Sequence, residues 1–285
     1  QTYPHIEIIA VDDGSPDNSA AIMDRYAKKY PNIRAIHKEN GGVTSARLRG
    51  VAEATGDWIG FVDGDDEIEP DMYERLIRNA TRYKADISHC GYQMIFNDGR
   101  IHYFHNTGHI VEQDSTAALR ELLSGAMIEP GLCNKLYRKT LFTGLFRNNT
   151  IPNDIKINED LLMNYYLFSG VDKAVFEDWC PYHYIVRNDS ASRVKLNHHR
   201  IYDPIRVKKM ILKSVPDEIK MDARRALVST CVYTYCSLVL EKDMDVKEAK
   251  RYVRAMLREH KDWCKLLAKR TYFLAKMIMQ TPHLF

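Results

Sequence analysis

The sequence holds no cysteines at C-x-x-C spacing, no early glycine- and lysine-rich phosphate loop, no apolar run long enough to span a bilayer, and little net charge. Each absence narrows the possibilities. A formal charge of +3 over 285 residues, with no interleaving of basic and aromatic residues, argues against nucleic-acid binding. The longest apolar stretch, Ala226 to Leu240, is broken by Ser, Thr and Tyr and falls short of the ~20 residues a spanning helix needs. With no signal peptide in view either, a soluble or peripheral protein is expected, in the cytoplasm or on the inner face of the membrane. Six cysteines, Cys90, Cys133, Cys180, Cys231, Cys236 and Cys264, show no pairing rhythm, which fits reduced, buried thiols.

What is present is 45% hydrophobic and 28% charged residues, enough for one large domain or a domain with an appendage. The charge is unevenly spread. From Ile205 to Phe285 there are 18 Lys and Arg against 9 Asp and Glu, so this segment is about +9 and the preceding part about −6.

Apolar runs at His5 to Val11, Asn32 to His37 and Asp57 to Val62 alternate with helix-like stretches, which reads as a βαβαβ unit and predicts a parallel sheet. The first helix runs to about Tyr30, and the second follows Gly41-Gly42 and ends near Gly56. Further on, a helix over Asp71 to Lys84, a strand from Asp86 to about Phe96, a hairpin through Asn97-Asp98-Gly99 and a helix over Ser115 to Ser124 are expected. Asn158 to Phe168 reads as a helix and Ala174 to Val186 as extended. The fold class is α/β, a mixed sheet flanked by helices. From about His198 the pattern is helical, giving expected regions of 1–197 (a donor half to about 96, an acceptor half after it) and 198–285.

Two acidic strand ends carry the chemistry. Val11-Asp12-Asp13-Gly14-Ser15 ends one apolar run and Phe61-Val62-Asp63-Gly64-Asp65-Asp66 another. In a parallel sheet both emerge at the carboxyl edge, where ligands bind. Crowded carboxylates repel unless solvated or neutralised by a hard divalent cation, Mg²⁺ or Mn²⁺, and Gly64 would let the backbone turn sharply between them. A polar strand end is the plainer alternative for either cluster alone.

Together with Glu39-Asn40-Gly41-Gly42 to Arg47, Ala54-Thr55-Gly56-Asp57 and Asn158-Glu159-Asp160-Leu161-Leu162, these segments resemble the family 2 glycosyltransferases of the GT-A fold, over roughly residues 1 to 195. The resemblance implies a nucleotide-binding turn at Asp12, Asp13 and Ser15, with Asp13 on the base. It implies a D-x-D in which Asp65 reaches the metal and Asp63 the metal or ribose, and a catalytic base at Asp160, with Glu159 next in line. Arg47 and Gly64 fall within its donor-binding segments. Lys135 and Arg187, in Asn134-Lys135-Leu136-Tyr137-Arg138 and Tyr184 to Ser190, are candidates to steady a diphosphate or acceptor, or are surface cations. His183 is a candidate metal ligand or a structural histidine. Family members carry one more strand before the Gln1-Thr2-Tyr3-Pro4 segment, so a further strand is expected. Leu48-Arg49 stand where the family often has Asn.

The implied reaction is an inverting transfer from a nucleotide-diphosphate sugar, a UDP-sugar by preference, to a hydroxyl of a glycan, glycoprotein or lipid-linked saccharide. A non-catalytic glycosyltransferase-like protein that binds sugar nucleotides or serves as a scaffold, and a nucleotidyltransferase, are the alternatives, and the second lacks its phosphate loop here. The basic helices are expected to meet an anionic membrane surface, a second copy of the chain or the catalytic domain, or simply to carry solvated charges on packed helices.

Overall fold

The computed structural model describes residues 1–104, 106–148, 151–187, 195–242 and 244–280. Asn188, Asp189 and Ser190 of the last resemblance segment lie outside the described residues. The first half runs β1 (Ile8–Asp12), α1 (Ser19–Lys29), β2 (Ile33–His37), α2 (Val43–Glu53), β3 (Trp58–Gly60), β4 (Glu67–Ile68), α3 (Met72–Tyr83), β5 (Ile87–Phe96) and β6 (Ile101–Tyr103). It continues with β7 (Ile110–Gln113), α4 (Ser115–Ser124), β8 (Lys135–Arg138), α5 (Thr143–Asn148), α6 (Glu159–Ser169) and β9 (Ala174–Val186). Four helices follow: α7 (His198–Ser214), α8 (Lys220–Leu240), α9 (Lys247–Glu259) and α10 (Lys269–Gln280).

β1 and β2 pair in parallel from Ile8↔Ile33 to Asp12↔His37, as the alternating runs predict. The third run does not join them. β3 pairs antiparallel with β8 and belongs to a separate seven-stranded mixed sheet of order β3-β8-β5-β9-β4, with β6 on β5 and β7 on β9. The expected continuous three-strand parallel sheet is therefore corrected: β1 and β3 each keep one edge without a strand partner among the described residues. Between those edges lies a cavity of about 310 Å³ lined by Ile9, Val11, Ala46, Val51, Ile59 and Phe61, among others. An unpaired strand edge leaves main-chain donors and acceptors without strand partners.

The long central pair, β5 and β9, is parallel and runs from Ile87↔Ala174 to Phe96↔Val186. Its inward residues join α4 and α6 in the main core, which includes Ile87, Leu119, Phe142, Leu162 and Phe168. That core continues into α7 and α8 through Val207, Ile211 and Ala223, so it crosses the boundary expected after residue 197. A second core, with Leu227, Tyr235, Val253 and Leu257, is confined to the helical region. Each such side chain contributes about 1.5–3 kcal/mol by burial, and α7 gives side chains to both cores, Val207 and Ile211 to the first and Ile201 and Ile205 to the second. All six cysteines are free, five of them buried. No helix among the described residues is long and apolar enough to cross a membrane.

Candidate active site

The turn after β1 is tied to the start of α2. Gly14 adopts φ +74°, and Ser15 donates its N–H to Asp12 Oδ1 at 2.9 Å. Ser15 and His37 hold the Asp12 carboxyl below its ordinary range. Asp13 accepts from the N–H groups of Gly41 (3.0 Å) and Gly42 (2.7 Å) and pairs with the Lys38 ammonium. Burial pushes Asp13 up, but Lys38 and those two N–H groups outweigh it and hold it low. Gly42 takes φ +87°, a conformation that favours glycine, and so lets α2 begin directly at the carboxylate. Asp13, expected on the nucleotide base, thus has an anchoring duty in this structure.

The turn after β3 hangs from β9. Tyr182 donates its hydroxyl to Asp66 Oδ2 at 2.5 Å, Ile185 donates its N–H to Asp66 Oδ1 at 3.0 Å, and the Asp63 N–H reaches the Tyr182 oxygen at 3.3 Å. Burial, aided by the neighbouring Asp65 and Asp63 charges, raises the Asp66 carboxyl above its usual range despite these bonds. Arg187 reaches the Asp65 carbonyl oxygen at 3.4 Å, which brings it to the turn. The Asp65 side chain is exposed, and no described residue bonds its carboxylate. Gly64 does not take a positive φ, and a Cβ there would meet nothing within 4 Å. The expectation that Gly64 makes the turn possible is corrected: the turn is held by Tyr182 and Ile185, and the glycine leaves open space beside Asp65.

The third component comes from α6. Asn158 caps it at φ 66°, and Glu159 and Asp160 occupy its first turn, where the helix dipole favours negative charge. Arg47 of α2 joins the components. Its guanidinium lies 3.1 Å from Asp63 Oδ1 and 3.6 Å from Glu159 Oε1, with the side chain 14% exposed. Burial opposes the Arg47 charge, but the two carboxylates more than restore it. Burial also raises both Glu159 and Asp160; the adjacent Asp160 charge adds to the rise at Glu159, and Arg47 opposes it. Burial brings the ammonium of Lys208 on α7 down to about 8, against the opposing pull of the Asp160 charge.

Two expected residues stand elsewhere. Lys135 is fully buried, and its ammonium donates to the carbonyls of Glu129 (2.8 Å) and Gly131 (2.6 Å) and to Asn134 Oδ1 (2.6 Å). With three donors and three acceptors inside its own segment, it braces residues 129–134 instead of presenting a surface charge or a free phosphate contact. His183 Nε2 lies 3.0 Å from Glu69 Oε1. The described residues contain no cluster of three His, Cys, Asp or Glu poised around one metal, so the structure does not gather His183 with Asp63 and Asp65. Sequence reasoning missed Tyr182, Cys133 and Lys208. Tyr182 had a signal in the alternation of β9, and the Cys133 thiol, pushed up to about 12 by burial and by Asp63, had none.

The donor set suits a hard cation held in part by its ligand. Asp65 offers an open carboxylate and Asp63 a second one, both oxygen donors, and Mg²⁺ or Mn²⁺ is held by one or two carboxylates plus substrate phosphates and water more often than by an all-protein cage. The buried Glu159-Asp160 pair beside it is suited to accept a proton.

Residues 1–146 match the family described as Glycosyl transferase family 2. The chain is 32% identical over 217 residues to the uncharacterised glycosyltransferase YibD of Escherichia coli K12, covering 71% of this chain and 61% of that protein. It is 34% identical over 197 residues to EpsJ of Bacillus subtilis 168, an uncharacterised glycosyltransferase, covering 68% and 56%. The minor teichoic acid biosynthesis protein GgaB of B. subtilis is 31% identical over 194 residues, covering 68% of this chain and 21% of GgaB. The chain thus spans about 61% and 56% of the first two relatives' lengths. Among solved structures, S. aureus TarS 1-349 in complex with UDP-GlcNAc superposes with a TM-score of 0.69 at 17% identity, covering 98% of this chain and 81% of that one.

Proposed function

The chain belongs to glycosyl transferase family 2 and has the GT-A fold, and from that premise we propose that it transfers a sugar from a UDP-sugar to an acceptor hydroxyl with inversion at the anomeric carbon. The observation that carries this reading is the Arg47 bridge, which holds the D-x-D carboxylate Asp63 and the acidic pair in one site. Asp160 accepts the proton of the attacking hydroxyl, and Glu159 is turned toward Arg47. Asp63 and Asp65 would hold a divalent cation, Mn²⁺ or Mg²⁺, which when bound neutralises charge on the departing diphosphate. Asp12, Asp13 and Ser15 shape the wall against which the nucleotide lies, and Arg187 faces the turn from the acceptor side. UDP is favoured as carrier because TarS is solved with UDP and with UDP-GlcNAc. Relatives named for teichoic acid and succinoglycan biosynthesis favour a growing glycan as acceptor.

The test is binding and slow hydrolysis of a panel of UDP-sugars with Mn²⁺, with EDTA, and with Asp65→Ala. One UDP-sugar should bind with metal only, and Asp65→Ala should weaken binding by about 1.5–3 kcal/mol, roughly 10- to 100-fold, the worth of a charge-assisted contact. Equal binding in EDTA removes the metal from the reading. Binding with no turnover favours a non-catalytic sugar-nucleotide-binding protein, and no binding of any nucleotide sugar favours a non-catalytic scaffold.

The helical region supports a second contact. On α10, Phe273 (63%) and Leu274 (40%) are exposed among Lys269, Arg270 and Lys276, the composition of a face that meets an anionic bilayer. We expect the protein to float with vesicles containing anionic lipid at low salt and to be released by Phe273→Ser with Leu274→Ser. Failure to float at low salt would leave the face to a second copy of the chain.

A further inference from the structure

The segment that delivers the acidic pair is held from outside the sheet by one face of α7. Asp203 Oδ2 accepts from the main-chain N–H of Lys156 at 2.8 Å and of Ile157 at 3.2 Å, and His199 Nδ1 lies 3.0 Å from the same oxygen. Arg206 Nη1 meets Asp154 Oδ2 at 2.5 Å. Residues 199, 203 and 206 are spaced i, i+4 and i+7, so they share a helix face.

Asp203 is only 3% exposed, and a carboxylate so placed requires partners. Those it has are two N–H groups immediately before the acidic helix and one imidazole. Next in the chain is Asn158, at φ 66°, a conformation that favours glycine and that an untethered Asn would leave readily. Glu159 and Asp160 follow it directly. The direction in which these two carboxyls leave the loop is therefore set at Lys156 and Ile157.

We propose that Asp203, supported by His199 and Arg206, is a positioning residue that fixes the approach of Glu159 and Asp160 to Arg47 and the acceptor, so that α7 is part of the catalytic unit. This rests on Asp160 being the base. It also accounts for the main core running through residue 197 into Val207 and Ile211.

Four variants test it: Asp203→Ala, which removes the acceptor; Asp203→Asn, which restores a carbonyl oxygen to the same two N–H groups; Arg206→Ala at an exposed position; and Arg251→Ala on α9 as a control. The readouts are UDP-sugar affinity, kcat and KM, thermal midpoint, and hydrogen exchange of the amides of residues 156–161. Asp203→Ala should lower kcat by about tenfold or more while donor affinity stays within about twofold, as expected when alignment and not binding is lost. Its amides at 156–161 should exchange faster. Asp203→Asn should recover most of the kcat, Arg206→Ala should lose a few-fold, and Arg251→Ala should match wild type. Unchanged kcat in Asp203→Ala overturns the proposal, as does a parallel fall of affinity, kcat and thermal midpoint in both Asp203 variants. If wild-type protein transfers no sugar, the base assignment fails by itself, and the exchange data still decide the tie: unchanged exchange at 156–161 in Asp203→Ala overturns it.

Discussion

Asp160→Asn should lower kcat about 10²–10⁴-fold while leaving UDP-sugar affinity nearly unchanged, because a positioned general base contributes that much to the transition state and little to donor binding. The loss corresponds to about 3–5 kcal/mol of barrier. The pH dependence gives an independent check. Asp160 works ionised, and burial raises its carboxyl above the ordinary range, so activity should fall with decreasing pH earlier than an unperturbed carboxylate, near ~4, would dictate. The variant's residual rate should lack that limb. Stability separates this loss from misfolding. A carboxyl whose pKa is higher in the folded than in the unfolded state stabilises most at pH below the unfolded value, and that contribution is lost as pH rises through the folded one. At neutral pH the ionised pair is therefore a cost, and the melting temperature of Asp160→Asn should equal or exceed that of wild type. Turnover within a few-fold of wild type, with a real acceptor, would pass the role of base to Glu159.

Much of the local structure was legible because periodicity and punctuation agreed. Asp114 at the start of α4 and Gly125 at its end bracket a helix found over Ser115–Ser124, as predicted, with Asp114 Oδ1 accepting the Ala117 N–H at 2.7 Å. The hairpin at Asn97-Asp98-Gly99 was legible in the same way, with Gly99 at φ +82°. The acidic motifs were legible as chemistry because carboxylates crowded at strand ends call for a counter-charge, and Arg47 supplies it.

What sequence could not give was partnership at long range. A run such as Trp58-Ile59-Gly60 carries the same apolar pattern whether it lies beside β1 or beside β8, and only the tertiary structure places it on β8. Lys135 reads as a diphosphate or acceptor contact or a surface cation because no local signal announces that the carbonyls of Glu129 and Gly131 will take its ammonium. Gly64 reads as a turn glycine because the bonds that hold the turn come from Tyr182 and Ile185, more than a hundred residues away. Nothing local marks Asp203 as a partner of Lys156 and Ile157 either.

Arg47 concentrates this long-range information in one side chain, so its removal should have consequences for both fold and rate. Arg47→Met preserves length and burial but leaves Asp63 and Glu159 facing each other without the cation. Breaking a buried pair by removing one partner costs about 3–5 kcal/mol. Asp63 is 44% exposed, so solvent screens part of that cost and about 2 kcal/mol is the reasonable expectation. For a chain of this size that lowers the melting temperature by about 4–8 °C at neutral pH. Losing the Arg47 charge also raises Glu159 further, so the destabilisation should shrink as the pH falls and the carboxyl is protonated. On the rate, kcat/KM should fall about 100-fold or more, because the two halves of the site lose their common tie and misalignment on the order of 1 Å is enough for that. Arg47→Lys should restore the melting temperature better than the activity: an ammonium supplies the charge but not a planar fork that meets Asp63 and Glu159 together. If Arg47→Lys were fully active, the bridge would be a matter of charge alone, and the coupling of the D-x-D to the acidic pair through Arg47 geometry would have to be abandoned.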